Sequence, residues 1–503
     1  MNSSTRWLAA LGAAMALWCA GHALAQEKPA PIAAPAPAAP LQLPVQSQAP
    51  ALVQAPMRTQ AVAPIQPPEA AFPASTSSAA GALPSVPGPR APGAAPEPMS
   101  HDAQRIYQGA RDKLVQIRTV LRNSDTQASV GSGFFVSSSG LIITNFHVAS
   151  QLALEPSRYR GVYVPVDGKE GPVELLAFDV QHDLALLRVQ NATSSYPVLG
   201  FRSSDAPLAR GERIYSLGNP KDIGFALTEG TYNGLVLRSF YPRIFFGGAI
   251  NPGMSGGPVL DEDGRVVGIN VSKRQDGEQL SFLVPAEFAQ ALLAQGAQAR
   301  PLTQSAYPEV TRQLLVHQEQ LTQRVLSTPF KEQKHGGYSV PVFDDALARC
   351  WGAGRSADFK AFELERTDCQ MDSYLFAGDV TTGLIQMRYE AYDATKMGAL
   401  RFSQVYGQSF ANERFAVQGT RNSTAAECKE RYIERQGMVM RAVICMSAYR
   451  KLLGLYDVSV LVASVNRPTQ GVQGRMDARG VSFANGLKLV ARYLDGFKWQ
   501  AKP

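Results

Sequence analysis

Residues 250–258 read Ile250-Asn251-Pro252-Gly253-Met254-Ser255-Gly256-Gly257-Pro258, a serine set between glycines, with the apolar runs Val259-Leu260 and Val266-Val267-Gly268-Ile269 following within a dozen residues. Glycine lets the backbone turn tightly on either side of the serine, and the β-branched residues after it predict strands. A hydroxyl presented in this way becomes a useful nucleophile near neutral pH only with a histidine to take its proton and a carboxylate to orient that histidine. Both stand upstream. Thr144-Asn145-Phe146-His147-Val148-Ala149 closes one apolar run, and Asp183-Leu184-Ala185-Leu186-Leu187 opens another.

The order His147, Asp183, Ser255 is one in which such a triad occurs. In that reading His147 is general base and then general acid, Asp183 fixes its tautomer and stabilises the imidazolium, and Ser255 attacks a carbonyl carbon. The backbone N–H groups of Gly253 and Ser255 are the expected oxyanion donors. The rival reading of Gly253-Met254-Ser255-Gly256-Gly257 is the nucleophile elbow of an α/β-hydrolase, which leads into a helix and has its acid and histidine after the serine. Here a proline and a strand follow, and the later histidines are His317 and His335, on and just past a predicted helix. A single histidine or aspartate at the end of a strand is usually structural, so the catalytic reading rests on the combination. His182 reads as a neutral neighbour of Asp183, and His101, His317 and His335 have no partner in sequence.

Outward from the serine, short β-branched runs alternate with glycine-marked turns from about Arg105 to Val284. The first set runs from 114 to 189 and the second from 213 to 284, six or so strands twice over, which predicts two packed antiparallel barrels. His147 and Asp183 fall in the first set and Ser255 in the second, so the site is expected between barrels. Pro285 to Leu293 and Pro308 to Leu326 predict helices, the second with Val310, Leu314, Leu321 and Val325 on one face. Past Gly336, strand-like segments (373–376, 384–392, 400–410, 438–446, 456–465) and helical ones (425–435, 481–497) predict an α+β domain.

At the other end, Arg6 precedes an apolar run from Trp7 to Leu17, and Ala23-Leu24-Ala25 offers a small-x-small cleavage site. That predicts a secretory signal peptide, cut after Ala25, with no transmembrane segment in the mature chain. Residues 26–99 hold 18 of the 34 prolines and six charged residues. Such a segment cannot bury enough apolar surface to fold, and as a polyproline-like tether it reaches on the order of 200 Å. Cys19 leaves with the signal, and four cysteines remain. In an exported chain these suggest two disulfides, with the short loops Cys350–Cys369 and Cys428–Cys445 favoured among three possible pairings. The spacing lacks CxxC pairs or nearby histidines, so no metal site and no cofactor are expected. The formal charge of +7 is scattered, without a Lys/Arg run. It reads as a solvated basic surface rather than a nucleic-acid site, with weak attraction to anionic envelope components.

Taken together, Gly131-Ser132-Gly133-Phe134-Phe135-Val136, Gly140-Leu141-Ile142-Ile143-Thr144-Asn145-Phe146-His147-Val148, Asp183-Leu184-Ala185-Leu186-Leu187, Leu217-Gly218-Asn219-Pro220 and the Ser255 stretch resemble the trypsin-like serine proteases of the HtrA/Deg type. The resemblance covers roughly residues 105–295. It implies a chymotrypsin-type double barrel, a triad at His147, Asp183 and Ser255, and endopeptidase activity on unfolded or specific envelope proteins. It also implies that the segment around Ser281, Phe282 and Leu283 pairs with an extended substrate by strand addition. Where trypsins that cut after Lys or Arg carry an acid, six residues before the serine, this chain has Ala249 and then Ile250, which implies small or medium aliphatic side chains at the scissile residue. The PDZ domains usual in that family are not announced in residues 300–503, so regulation by peptide and oligomerisation do not carry over.

The expected fold is therefore multidomain: an all-β chymotrypsin-type double β-barrel (101–300) behind a signal peptide (1–25) and tether (26–100), then a linking helix (301–335) and a disulfide-containing α+β C-terminal domain (336–503). The expected function is that of an exported, periplasmic or secreted serine endopeptidase acting on protein or peptide substrates. Alternatives are a latent protease fold that binds or senses envelope components through the C-terminal domain, and an esterase using the same triad.

Overall fold

The computed structural model describes residues 100–500 apart from 193–194, 274–278, 356–361 and 414–418. The predicted signal peptide and nearly all of the tether lie outside the described residues. Helix α1 (His101–Ala110) opens the folded part, its first turn capped by the Ser100 hydroxyl accepting from the Ala103 N–H at 3.1 Å. Serine supplies the acceptor that the first helical turn lacks.

The first barrel comprises β1 (Leu114–Leu121), β2 (Gln127–Ser137), β3 (Leu141–Thr144), β4 (Tyr159–Pro165), β5 (Gly171–Asp179) and β6 (Leu184–Val189), with α2 (Phe146–Leu154) between β3 and β4. It closes in the order β1-β2-β3-β6-β5-β4. The second comprises β7 (Arg213–Gly218), β8 (Ala226–Leu235), β9 (Ile244–Phe246), β10 (Pro258–Leu260), β11 (Val266–Lys273) and β12 (Ser281–Pro285). It closes as β10-β11-β12-β9-β8-β7, the same cyclic order as the first. Closure leaves no free strand edge. Between the barrels Phe134, Ile143, Leu186, Tyr215, Leu217 and Ile269 share one buried cluster, joined by Ile106 of α1 and Leu292 of α3 (Ala286–Gly296).

Helix α4 (Tyr307–Ser327) buries the predicted stripe of Val310, Leu314, Leu321 and Val325. Val310 and Leu314 enter the core of the first barrel. One turn further on, the Gln318 side-chain carbonyl accepts from the Ser482 N–H at 3.1 Å and from the Asn485 amide at 2.9 Å. A single helix is thus tied to the barrel on one part of its length and to the C-terminal region on another.

That region contains β13 (Lys331–His335), β14 (Tyr338–Val342), β15 (Arg349–Arg355), β16 (Glu363–Gln370), β17 (Leu375–Ala377), β18 (Val380–Thr382), β19 (Ile385–Asp393), α5 (Ala399–Asn412), β20 (Glu427–Arg435), β21 (Met438–Ala448), β22 (Leu455–Ser464), β23 (Gln470–Ser482), α6 (Phe483–Leu494) and β24 (Lys498–Trp499). Seven of these strands form one antiparallel sheet in the order β15-β16-β19-β23-β22-β21-β20. Cys350 lies directly opposite Cys369, and Cys428 directly opposite Cys445. Both pairs are bridged, as the short-loop reading favours.

Two predicted elements are exchanged. Residues 400–410, read as a strand, lie in α5, because Phe402, Tyr406 and Phe410 recur every four residues and pack on one helical side. Residues 425–435, read as a helix, form edge strand β20. Pairing along its whole length with β21 outweighs helix propensity, and charged side chains suit an exposed edge.

Candidate active site

His147 sits in the first turn of α2, just past the end of β3, and Asp183 ends the turn that leads into β6. Asp183 holds φ at 55°, a conformation that aspartate tolerates better than most residues. Its carboxylate accepts twice from one residue: from the His147 N–H at 2.8 Å and from His147 Nδ1 at 2.6 Å. The carboxylate thus caps the helix start, where backbone N–H groups favour negative charge, and fixes the imidazole with Nδ1 protonated and Nε2 free. Phe146 N–H donates to the Asp183 carbonyl at 3.1 Å, and the Asn145 amide does so at 2.8 Å, so two further hydrogen bonds tie the two loops together. His147 keeps 32% of its side chain exposed and Asp183 keeps 14%. Burial alone would lower the imidazolium pKa, but the charge of Asp183 and its hydrogen bond outweigh it, and the pKa is raised above 6.5.

Ser255 belongs to the second barrel and reaches the first through its backbone: its carbonyl accepts from the Ser132 N–H at 2.8 Å. Gly256, at φ 85°, lies so close to the end of β3 that a Cβ would stand 2.4 Å from Thr144 Oγ1 and 2.8 Å from the Asn145 nitrogen. Only glycine allows that approach, which brings the serine turn against the strand that leads into His147. Gly253, at φ 95°, packs equally tightly on the Asn219 carbonyl. The Ser132 hydroxyl accepts from the Asn219 N–H at 2.8 Å and donates to the Gly253 carbonyl at 2.7 Å, fixing that peptide. Among the described residues the N–H groups of Gly253 and Ser255 have no acceptor, as donors awaiting an oxyanion require.

The proposed substrate residues fare unevenly. Ala249 is half-exposed, whereas the Ile250 side chain is buried with Ile244, Phe246 and Leu283 in the second barrel. The expectation that Ser281, Phe282 and Leu283 take up a peptide by strand addition is corrected: β12 pairs with β11 on one edge and with β9 on the other, so no edge is free. Ser281 instead accepts from the Ile250 N–H at 3.2 Å, and Phe282 lines a groove of about 590 Å³ between the second barrel and the C-terminal sheet.

Sequence reasoning missed several neighbours. His182 is not a lone bystander: its Nδ1 lies 2.6 Å from Asp179, and its ring stacks on Phe288 with centroids 3.7 Å apart. His317 is buried on α4 and accepts from the Tyr241 hydroxyl, and His335 pairs with Glu365 at 2.9 Å. Phe376 of the C-terminal region brings its ring centroid to 6.4 Å from that of His147. The Asp179–His182 contact spans only three residues and was open to a sequence reading, whereas the others depend on how distant elements are brought together. Ser132 did stand in a quoted motif, and its flanking glycines are the signal that a close approach occurs there.

Residues 131–269 match the family described as trypsin-like peptidase domain. A probable periplasmic serine endoprotease DegP-like of Marinomonas sp. is 32% identical over 176 residues, 34% of this chain and 36% of that protein. A probable periplasmic serine endoprotease DegP-like of Halomonas elongata is 34% identical over 177 residues, 33% of this chain and 35% of that protein. Among solved structures, Deg5 aligns at 24% identity with a TM-score of 0.33, over 38% of this chain and 91% of that one. The chain spans less than half the length of the first curated relatives it matches. Two closed barrels fit this match of residues 131–269 to a trypsin-like peptidase domain. Within that class the matched region is similar to serine endoproteases of the DegP type.

Proposed function

We propose that this protein is an exported serine endopeptidase. The observation that carries the reading is the 2.6 Å contact of His147 Nδ1 with Asp183, which leaves Nε2 free to act as base, with Ser255 on a glycine-built turn packed against the strand that leads into His147. Ser255 Oγ attacks the scissile carbonyl carbon as its proton passes to His147 Nε2, and the negative oxygen is received by the N–H groups of Gly253 and Ser255. His147 then returns the proton to the leaving amine. The acyl-enzyme is hydrolysed by water with His147 as base again. Asp183 stays ionised throughout and stabilises the imidazolium. Small or medium aliphatic side chains at the scissile residue agree with the half-exposed, uncharged Ala249. Export agrees with the two disulfides, with the N-terminal sequence and with relatives named as periplasmic.

Digestion of casein by the purified mature chain and by Ser255→Ala tests the proposal. The substitution lowers kcat/KM by several orders of magnitude, on the scale seen when a triad nucleophile is removed. Undiminished digestion by the variant overturns the reading.

A further inference from the structure

Strand β17 alternates in the manner of any strand, with consecutive side chains on opposite sides. Leu375 and Ala377 are buried in the core of the first barrel beside Phe146, Leu154 and Val180. Gly378, at φ 69° in the turn to β18, lies against Leu154 with no room for a Cβ. The hairpin is therefore anchored on the barrel rather than resting on it. Its other side carries Tyr374 and Phe376, whose rings meet edge to face at 5.8 Å. The guanidinium of Arg243 lies 5.4 Å over Tyr374 and pairs with Asp372 at 3.6 Å, which fixes the pair from the second barrel as well. Phe376 stands 6.4 Å from the His147 ring and is still 43% exposed.

His182, Asp183, Tyr241, Arg243, Tyr374 and Phe376 help to line a small space on the Asp183 side of the His147–Asp183 pair, and only about 30 Å³ remains open there. That is room for little more than a water molecule or two. A polypeptide whose carbonyl is presented to Ser255 must lay a neighbouring side chain near the imidazole, on ground that is partly walled by an aromatic residue from the C-terminal region. We propose that Phe376, backed by Tyr374, is a specificity-determining wall of the substrate cleft, restricting one residue next to the scissile one to a small side chain. The proposal rests on the serine-endopeptidase reading and deepens it: the C-terminal region becomes part of the site instead of a separate module.

A library of short peptides varied on both sides of the scissile residue, assayed with wild type, Phe376→Ala and Phe376→Leu, tests it, with fluorophosphonate labelling of Ser255 followed in parallel. In wild type one flanking position accepts glycine, alanine or serine and rejects leucine or phenylalanine. Phe376→Ala raises the ratio of kcat/KM for bulky over small peptides at that position by about tenfold or more, the size expected when a side chain walling a pocket is removed. Phe376→Leu gives an intermediate ratio. A ratio within twofold of wild type in a variant that still labels overturns the proposal, and so does a uniform gain for every peptide, which would mark a plug instead of a selective wall. A wild-type protein that neither labels nor cleaves removes the underlying protease reading, and this proposal with it.

Discussion

The Tyr241 hydroxyl donates to Nδ1 of His317 across 2.7 Å, joining the loop before β9 to the middle of α4. The same loop is held by the C-terminal region, with the Phe240 N–H donating to the Asp372 carbonyl at 2.9 Å. His317 is buried and neutral: desolvation pushes its pKa down to about 4, against a small opposing pull from the Ser373 carbonyl. Three parts of the molecule therefore meet around one uncharged imidazole.

This junction is an acid-sensitive element. A histidine whose folded pKa is depressed stabilises the fold fully above its unfolded value near 6.5, and the contribution is lost as pH falls from there toward the folded value of about 4. The full span is worth roughly 3 kcal/mol. Melting temperature should fall between pH 7 and pH 5 in wild type, and fall less in His317→Gln, which cannot charge. Parallel curves for the two proteins would contradict the assignment.

At the His147–Asp183 pair, the proposed base and its partner, the sign is opposite. His147 must be neutral to act as base, and Asp183 raises its pKa above 6.5. The acid limb of kcat/KM should have its midpoint above pH 6.5. In Asp183→Asn the raising interactions go while burial remains, so the limb moves to lower pH and the rate falls on the order of 10⁴. A limb that stays in place, measured on a peptide substrate, would separate the observed titration from His147.

The neighbouring Asp179–His182 pair has the same 2.6 Å contact and is the natural impostor. Its ring faces Phe288 and Tyr241, not the serine turn. His182→Ala should lower the melting temperature through loss of the stacked ring yet reduce peptide turnover by no more than a few-fold. His147→Ala should abolish turnover. Equal losses would mean that the base has been misassigned.

The bridges Cys350–Cys369 and Cys428–Cys445 close loops of 19 and 17 residues in sequence separation. In the chain-entropy picture each is worth about 3 kcal/mol. Reduction should lower the melting temperature by several degrees or more. A melt unchanged by reductant would show that strand pairing alone holds β15 to β16 and β20 to β21.

The double barrel was legible because its strands are short, β-branched and separated by glycine turns, and because the apolar runs flanking His147, Asp183 and Ser255 mark where strands stop. Their closure order was not, since nothing in the chain says which of six strands are neighbours. Residues 425–435 misled because an exposed edge strand such as β20 carries the same charged residues as a solvated helix. The candidate site was legible only in part. Phe376 and Tyr374 reach it from a different region of the chain, through the burial of Leu375 and Ala377 in the first barrel, and no spacing in the sequence encodes that docking. The strand-addition reading of β12 failed for a related reason, because both of its edges are taken by strands far apart in sequence.

The most direct measurement is labelling of the purified mature protein with a fluorophosphonate probe, wild type beside Ser255→Ala, followed by peptide mapping. The account predicts one modified peptide containing Ser255, absent from the variant, with a labelling rate that falls on acidification as His147 takes up its proton. A folded protein that does not label, or a variant that labels as readily as wild type, contradicts it.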